Sequence, residues 1–376
     1  MAVYLDCNAT TPIEPRVKDE VIHYLSEEFG NAGSRTHEFG VRAKRAIQRA
    51  RGQIAEVVKC KPEEVLFTSG ATESNNLAIL GLATYGVESK KRHIISTQIE
   101  HKAVLEPLEH LASQGFDVTL ISPKPDGAID AEKIRHALRD DTMLVSVMHV
   151  NNETGVRQPI SEIAGLLASH SAYFHVDAAQ GFGKEVGELQ NDRIDLISIS
   201  GHKIYAPKGV GALITRRRGS ERIPLKPLIF GGGQELGLRP GTHPVHLIAG
   251  LGLAAEIALN EVVSRSKINQ TFRKELLGAL TQLDPVFNGD PELMIQNTLN
   301  LSFPGVDSEA LMIALKSDIA ISNGSACTSH SYAPSHVLTA MGVHSDIIRG
   351  ALRISWCHLS EAPDWSTVAA KIKRMQ

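Results

Sequence analysis

The sequence predicts an α/β fold: a mostly parallel sheet flanked by helices, joined to a smaller α+β unit. Three observations predict it. From about residue 60 to 216, short β-branched runs alternate with amphipathic segments, the pattern of a sheet wrapped by helices. A long helical pattern covers 244–283 and breaks near Asp284-Pro285. Beyond it, short strands mix with short helices in a chain whose 376 residues exceed what one core usually organises.

Taken in order, "EFGVRAKRAIQRARGQIAEVV" has apolar positions at helical spacing and predicts a long amphipathic helix. Seven strands follow: "EVLFT", "HIISTQ", "DVTLIS", "MLVSVMHV", "YFHVD", "DLISIS" and "VGALITR". Helices are expected between them at 73–84, 102–114, 131–139 and 160–169. In the last third, "NTLNLSF", "IAISNGS" and "ALRISW" read as strands. No internal repeat or low-complexity tract interrupts the chain.

Hydrophobic residues make up 42% and charged residues 22%, ordinary for a folded soluble protein. The formal net charge of -3 gives no global pull toward nucleic acid or anionic membrane. "TRRRGSER" (215–222), the one compact basic run, reads as a solvated turn after a strand. No uninterrupted apolar run is long enough to span a bilayer, and "MAVYLDCNATTPIEPR" lacks a basic leader and a greasy signal core, so a cytoplasmic protein is expected. Cys7, Cys60, Cys327 and Cys357 lie far apart, with no C-x-x-C pair to suggest zinc, and reduced thiols are expected.

Ligands of open α/β sheets collect at the carboxyl ends of strands. In "LFTSGATESNNLAI" (66–79) a strand ends in a turn that opens a helix, where the N–H groups of Ala71 and Thr72 and the Thr72 hydroxyl can hold a phosphate; taken alone, the stretch favours an ordinary N-cap by Thr72. In "YFHVDAAQG" (173–181) Asp177 ends a strand, either as an N-cap or as the partner of a protonated ring nitrogen. In "SGHKIYAPKG" Lys203 follows the next strand, where burying an ammonium is costly unless the amine acts as a nucleophile toward an aldehyde. Phosphate cradle, aspartate and lysine together specify pyridoxal phosphate.

"LDCNATTP", "FGNAGSRTHEFG", "TSGATESNN", "EHKAVLEPL", "VNNETG", "HVDAAQ", "SGHKIYAPKGVGAL", "GGGQELGLRPGT" and "SNGSACTS" resemble the successive motifs of cysteine desulfurases, which are fold-type I pyridoxal-phosphate enzymes of the class V aminotransferase family. The resemblance runs from near residue 4 to near 357. It implies a large cofactor-binding domain over 15–260 and a small domain from 1–14 and 261–376 that carries the catalytic cysteine loop.

By this resemblance Lys203 carries the cofactor, and His101 stacks on the ring and moves protons. Thr72, Ser200 and His202 hold the phosphate, Gln180 the ring hydroxyl, and Asp177 the ring nitrogen. Asn152 and Arg353 bind the substrate carboxylate, a task that suits a guanidinium fork. Thr242 reaches the phosphate of the partner subunit, which implies a homodimer. Cys327, in small polar company, takes the sulfur of L-cysteine as a persulfide and passes it to an acceptor protein; Cys7, Cys60 and Cys357 read as buried or incidental.

"NGSACTS", with Asn323 in place of Ser or Thr, places the chain with the group that serves iron-sulfur assembly and RNA thiolation. "RPGTHPV" puts His243 beside Thr242. The opening "MAVYLDCNATTPIEPRV" is also similar to desulfurases of DNA phosphorothioation systems, a role that needs no direct contact with DNA. A selenocysteine lyase or another aminotransferase-like enzyme, with Cys327 dispensable, and a non-catalytic partner-binding scaffold are the competing readings.

Overall fold

The structure, a computed structural model, describes residues 2–323 and 334–376. Cys327 lies outside the described residues. After the short β1 (Val3–Tyr4), seven strands form the main sheet: β2 (Val65–Thr68), β3 (His93–Thr97), β4 (Asp117–Ile121), β5 (Thr142–Met148), β6 (Tyr173–Asp177), β7 (Leu196–Ser200) and β8 (Gly211–Thr215). Their spatial order is β2-β8-β7-β6-β5-β3-β4. Only β8 runs against its neighbours, so the sheet is mixed and mostly parallel.

Every residue of β3, β5 and β7 is buried, as expected for strands covered on both faces. Successive side chains alternate between two apolar layers: Leu144, Leu196 and Leu213 join Leu77, Ile94 and Leu108 on one face, while Val145, Ile197 and Ile214 join Ile54 and Phe174 on the other. Among the expected helices, Glu38–Val58 forms as one unit from a His37 cap, and 73–84 becomes Ala71–Leu80 followed by Ala83–Glu88. Lys102–Ser113, Ala131–Ala137 and Ile160–Leu166 supply the rest of the expected cover.

The long pattern is a single 36-residue helix, Val245–Leu280, packed along Pro15–Ser26 and Glu38–Val58. At Gly252 a Cβ would come within 2.5 Å of the Ala50 Cα, so the absence of a side chain sets how closely the two helices approach. By length and composition this helix is apolar enough to cross a membrane, a feature that a search for uninterrupted apolar runs passes over; half of its most apolar window is buried inside the fold. Residue 260 falls within it.

Past that helix come β9 (Val286–Phe287), β10 (Thr298–Ser302), β11 (Ile319–Ala320) and β12 (Ala351–Ser355). Strands β12-β10-β9 form an antiparallel sheet, and β11 pairs with β1 in parallel. Leu299, Ile354 and Trp356 pack with Leu276 and with Leu5 from the N-terminus in a separate apolar cluster.

The basic run 215–222 corrects its sequence reading. Arg216 is buried, and its guanidinium donates to the carbonyls of Val58, Leu189, Asn191 and Ile194, while Arg218 pairs with Asp195 at 2.7 Å. These arginines close the base of the sheet, because a guanidinium carries enough donors to satisfy several orphan carbonyls at once.

Candidate active site

At the carboxyl ends of β2, β5, β6 and β7 a cavity of about 470 Å³ opens. It is lined by Ala71, Thr72, His101, Asn152, Asp177, Gln180, Ser200, His202, Lys203 and Arg353. Two predicted residues are not there. Cys327 is outside the described residues, and Thr242 lines a separate hollow of about 200 Å³ beside Asn31, Arg51 and His243.

The turn predicted to hold phosphate is built by Gly70, at φ +155, which caps the helix Ala71–Leu80; Thr72 is thus inside the first turn rather than at the cap. The Ser69 N–H donates to Glu73 Oε2 at 2.7 Å, and Arg239 pairs with the other Glu73 oxygen at 2.9 Å, so the "GGGQELGLRPGT" loop braces this turn. The leading N–H groups of a ten-residue helix have no intrahelical acceptor and sit at its positive end. Ser200 and His202 line the same cavity, and Ser200 Oγ lies 3.5 Å from where a Cβ on Gly70 would stand.

Asp177, at the end of β6, is buried. Its Oδ1 accepts from the Ala179 N–H at 3.0 Å and its Oδ2 from Asn75 Nδ2 at 2.7 Å. It therefore organises the local turn and also lines the cavity. Lys203 Nζ donates to the carbonyls of Asn8 and Ala9, the latter at 2.8 Å. Gln180 Nε2 donates to the same Asn8 carbonyl at 2.8 Å, and Lys184 Nζ donates to Gln180 Oε1 at 3.3 Å.

His101 caps the helix Lys102–Ser113 and lines the cavity at once. Burial pushes its pKa below the usual histidine value; the Asp177 charge opposes that shift and Lys203 adds to it. The neutral ring accepts the Ala103 N–H at Nδ1, 3.1 Å away, which leaves its own proton on Nε2. Burial, with help from Lys203, lowers His202 to about 4, so it too is neutral at pH 7.

Arg353 Nη2 pairs with Asp6 at 2.7 Å and Nη1 donates to the Asn152 carbonyl at 3.1 Å, while its buried Nε has no partner among the described residues. An orphaned donor on a fixed guanidinium at the cavity wall fits a carboxylate ligand. The donor set as a whole fits pyridoxal phosphate: a helix N-terminus with a hydroxyl and a neutral imidazole, a buried carboxylate, and an amine between carbonyls.

Sequence reasoning missed Asn8, Asp6 and Asn75. The first two lie in the quoted "LDCNATTP", but their partners Asn152, Lys203 and Arg353 are far away in sequence. Asn75 had a usable signal: it follows Ala71 by one helical turn, so it faces the strand ends from the helix that opens at the phosphate turn. His243, whose effect the sequence left open, meets the buried carboxylate of Glu235 at 2.5 Å; Arg51 and the Phe67 N–H hold the same group. That cluster ties the Thr242 loop to the sheet.

The family model "Aminotransferase class-V" matches residues 3–366. A cysteine desulfurase, IscS, of Rickettsia bellii is 49% identical over 94% of this chain and 86% of its own length. The structure of DndA from Streptomyces lividans is 52% identical, with a TM-score of 0.83 over 93% of this chain and 98% of that one. A structure of SspA in complex with cysteine is 40% identical, with a TM-score of 0.83 over 94% and 98%.

Proposed function

The chain belongs to the class-V aminotransferase family and is a cysteine desulfurase that uses pyridoxal phosphate, and on that premise we propose how its residues divide the work. When bound, the cofactor draws off the electrons left on the substrate α-carbon once its proton is removed. The turn at Ala71 and Thr72, with Ser200 and His202, holds the phosphate. Lys203 carries the cofactor through its amine, Asp177 keeps the ring nitrogen protonated, and Gln180 donates to the ring hydroxyl.

Arg353 and Asn152 fix the carboxylate of L-cysteine. His101 is neutral and exchanges protons with the substrate, the state a base or acid near pH 7 needs. The Cys327 thiolate attacks the substrate sulfur: the sulfur–carbon bond breaks, a sulfur–sulfur bond forms, the carbon takes up a proton, and L-alanine leaves with a persulfide on Cys327. The observation that supports this reading most is the meeting of Lys203, Asp177 and the Ala71–Leu80 helix N-terminus in one cavity. Incubation with L-cysteine without reductant tests it: the Cys327 peptide gains one sulfur atom. Alanine formation with an unmodified Cys327 peptide contradicts it.

A homodimer is supported by Thr242, which is remote from its own chain's cavity, and by the neighbouring apolar stretch Leu228, Ile229 and Phe230, the last 89% exposed. Sedimentation of the holoenzyme reads the assembly directly. Division into 15–260 and 1–14 with 261–376 is supported by the cluster of Leu5, Leu276, Leu299, Ile354 and Trp356, although Val337, Leu338, Met341 and Ala351 pack into the core of the larger unit and the helix Val245–Leu280 is shared. For the acceptor, we favour a DNA phosphorothioation partner in the cytoplasm over iron-sulfur or tRNA thiolation partners. The opening motif and the 52% identity to DndA support that choice.

A further inference from the structure

Cys7 and Cys357 have no task in the desulfurase reading, yet the fold brings these opposite ends of the chain together. Asp6 bridges Ser355 in parallel, the Cys7 N–H donates to the Ser355 carbonyl at 3.0 Å, and the Asn8 N–H donates to Ser355 Oγ at 2.9 Å. That register sets Cys7 opposite Trp356, one residue from Cys357. The two cysteines pack with Tyr205 in a small buried cluster, and Ser360 Oγ donates to Cys357 Sγ at 3.6 Å.

Their surroundings favour a thiolate. Lys184, whose own pKa burial lowers to about 8, presents its charge to both sulfurs. The neighbouring Cys7 is the largest cause holding the Cys357 thiol down at about 6, while that of Cys7 is raised, so the proton of the pair stays on Cys7. Both cysteines also line a cavity of about 530 Å³ with Tyr4, Thr10 and Leu359, a route by which a small oxidant reaches them.

We propose that Cys7 and Cys357 form a reversible disulfide in response to hydroperoxides, a redox site separate from Cys327. The Cys357 thiolate attacks the peroxide oxygen, which cleaves the oxygen–oxygen bond, makes a sulfenic acid and releases hydroxide or alkoxide. Cys7 then attacks the sulfenic sulfur and water leaves, its proton coming from Cys7. One peroxide is reduced by two electrons and two thiols are oxidised to one disulfide. The bond clamps the segment whose Asn8 carbonyl receives Lys203 and Gln180 onto the end of β12, the strand that carries Arg353.

The test uses holoenzyme carrying Cys60→Ser and Cys327→Ser, treated with one equivalent of hydrogen peroxide and mapped without reduction. The expected result is the loss of two hydrogens in the intact mass and a Cys7–Cys357 linked peptide that dithiothreitol separates. Lys184→Met slows linking by roughly tenfold at neutral pH, because the thiolate is the reactive form. Thiols that stay reduced, or a Cys357 that gains oxygen without linking, overturn the proposal. The same linked peptide is sought in the wild-type chain, where a dominant Cys327 linkage also overturns it.

Discussion

Asn75 donates from Nδ2 to Oδ2 of Asp177 at 2.7 Å, with both side chains buried. The helix that carries Asn75 begins at the turn proposed to hold the phosphate, so one element links that turn to Asp177. A hydrogen bond to a charged group contributes about 1.5–3 kcal/mol. Asn75→Ala therefore weakens cofactor affinity by about tenfold or more, each tenfold being about 1.4 kcal/mol. Titration of the apoenzyme with pyridoxal phosphate measures it, and unchanged affinity reduces the contact to a packing detail.

Arg353 offers a second separable prediction. If Arg353 holds the substrate carboxylate as proposed, Arg353→Lys keeps the charge toward Asp6 but loses the guanidinium fork, so KM for L-cysteine rises by roughly tenfold while kcat changes less. Initial rates over a range of L-cysteine concentrations separate the two parameters. A fall in kcat at constant KM contradicts carboxylate binding by this residue.

Glu100 gives a pH signature. It is fully buried, its Oε1 accepts from Thr97 Oγ1 at 2.7 Å and the Met148 N–H at 2.9 Å, and its Oε2 has no partner among the described residues. Burial, with a smaller push from Asp177, raises its pKa to about 8 against the two hydrogen bonds. The folded protein therefore holds a proton that the unfolded chain releases above about 4.5. That contribution to stability is complete below about pH 4.5 and is lost as pH rises through about 8, at roughly 1.4 kcal/mol per unit. Glu100→Gln does not titrate, so its stability gain over wild type grows across that window. Denaturant melts of the two apoenzymes over the window measure it, and a flat difference contradicts a raised pKa.

The parts of this molecule that were legible in its sequence are those set by local pattern. Fully buried strands such as "LISIS" and "TMLVSVM" are apolar or small throughout, and the helix Glu38–Val58 repeats its apolar positions regularly. Lys203 and Asp177 stood out because a charged residue at the end of a buried strand needs a reason. Asn8 and Asp6 could not stand out, since their importance lies in contacts with Lys203 and Arg353 that only the folded chain creates. Arg216 misled for a related reason: its neighbours in sequence are basic and polar, while its partners are carbonyls of Val58 and of the stretch 189–194.

The most direct test of the account is the release of alanine and sulfide from L-cysteine in the presence of a reductant by wild type, Cys327→Ser and Lys203→Ala. The account predicts turnover by wild type alone, with Cys327→Ser retaining the visible absorbance of the bound cofactor and Lys203→Ala losing it. Sulfide release by Cys327→Ser at the wild-type rate would contradict the persulfide role and leave a lyase chemistry that does not need that thiol.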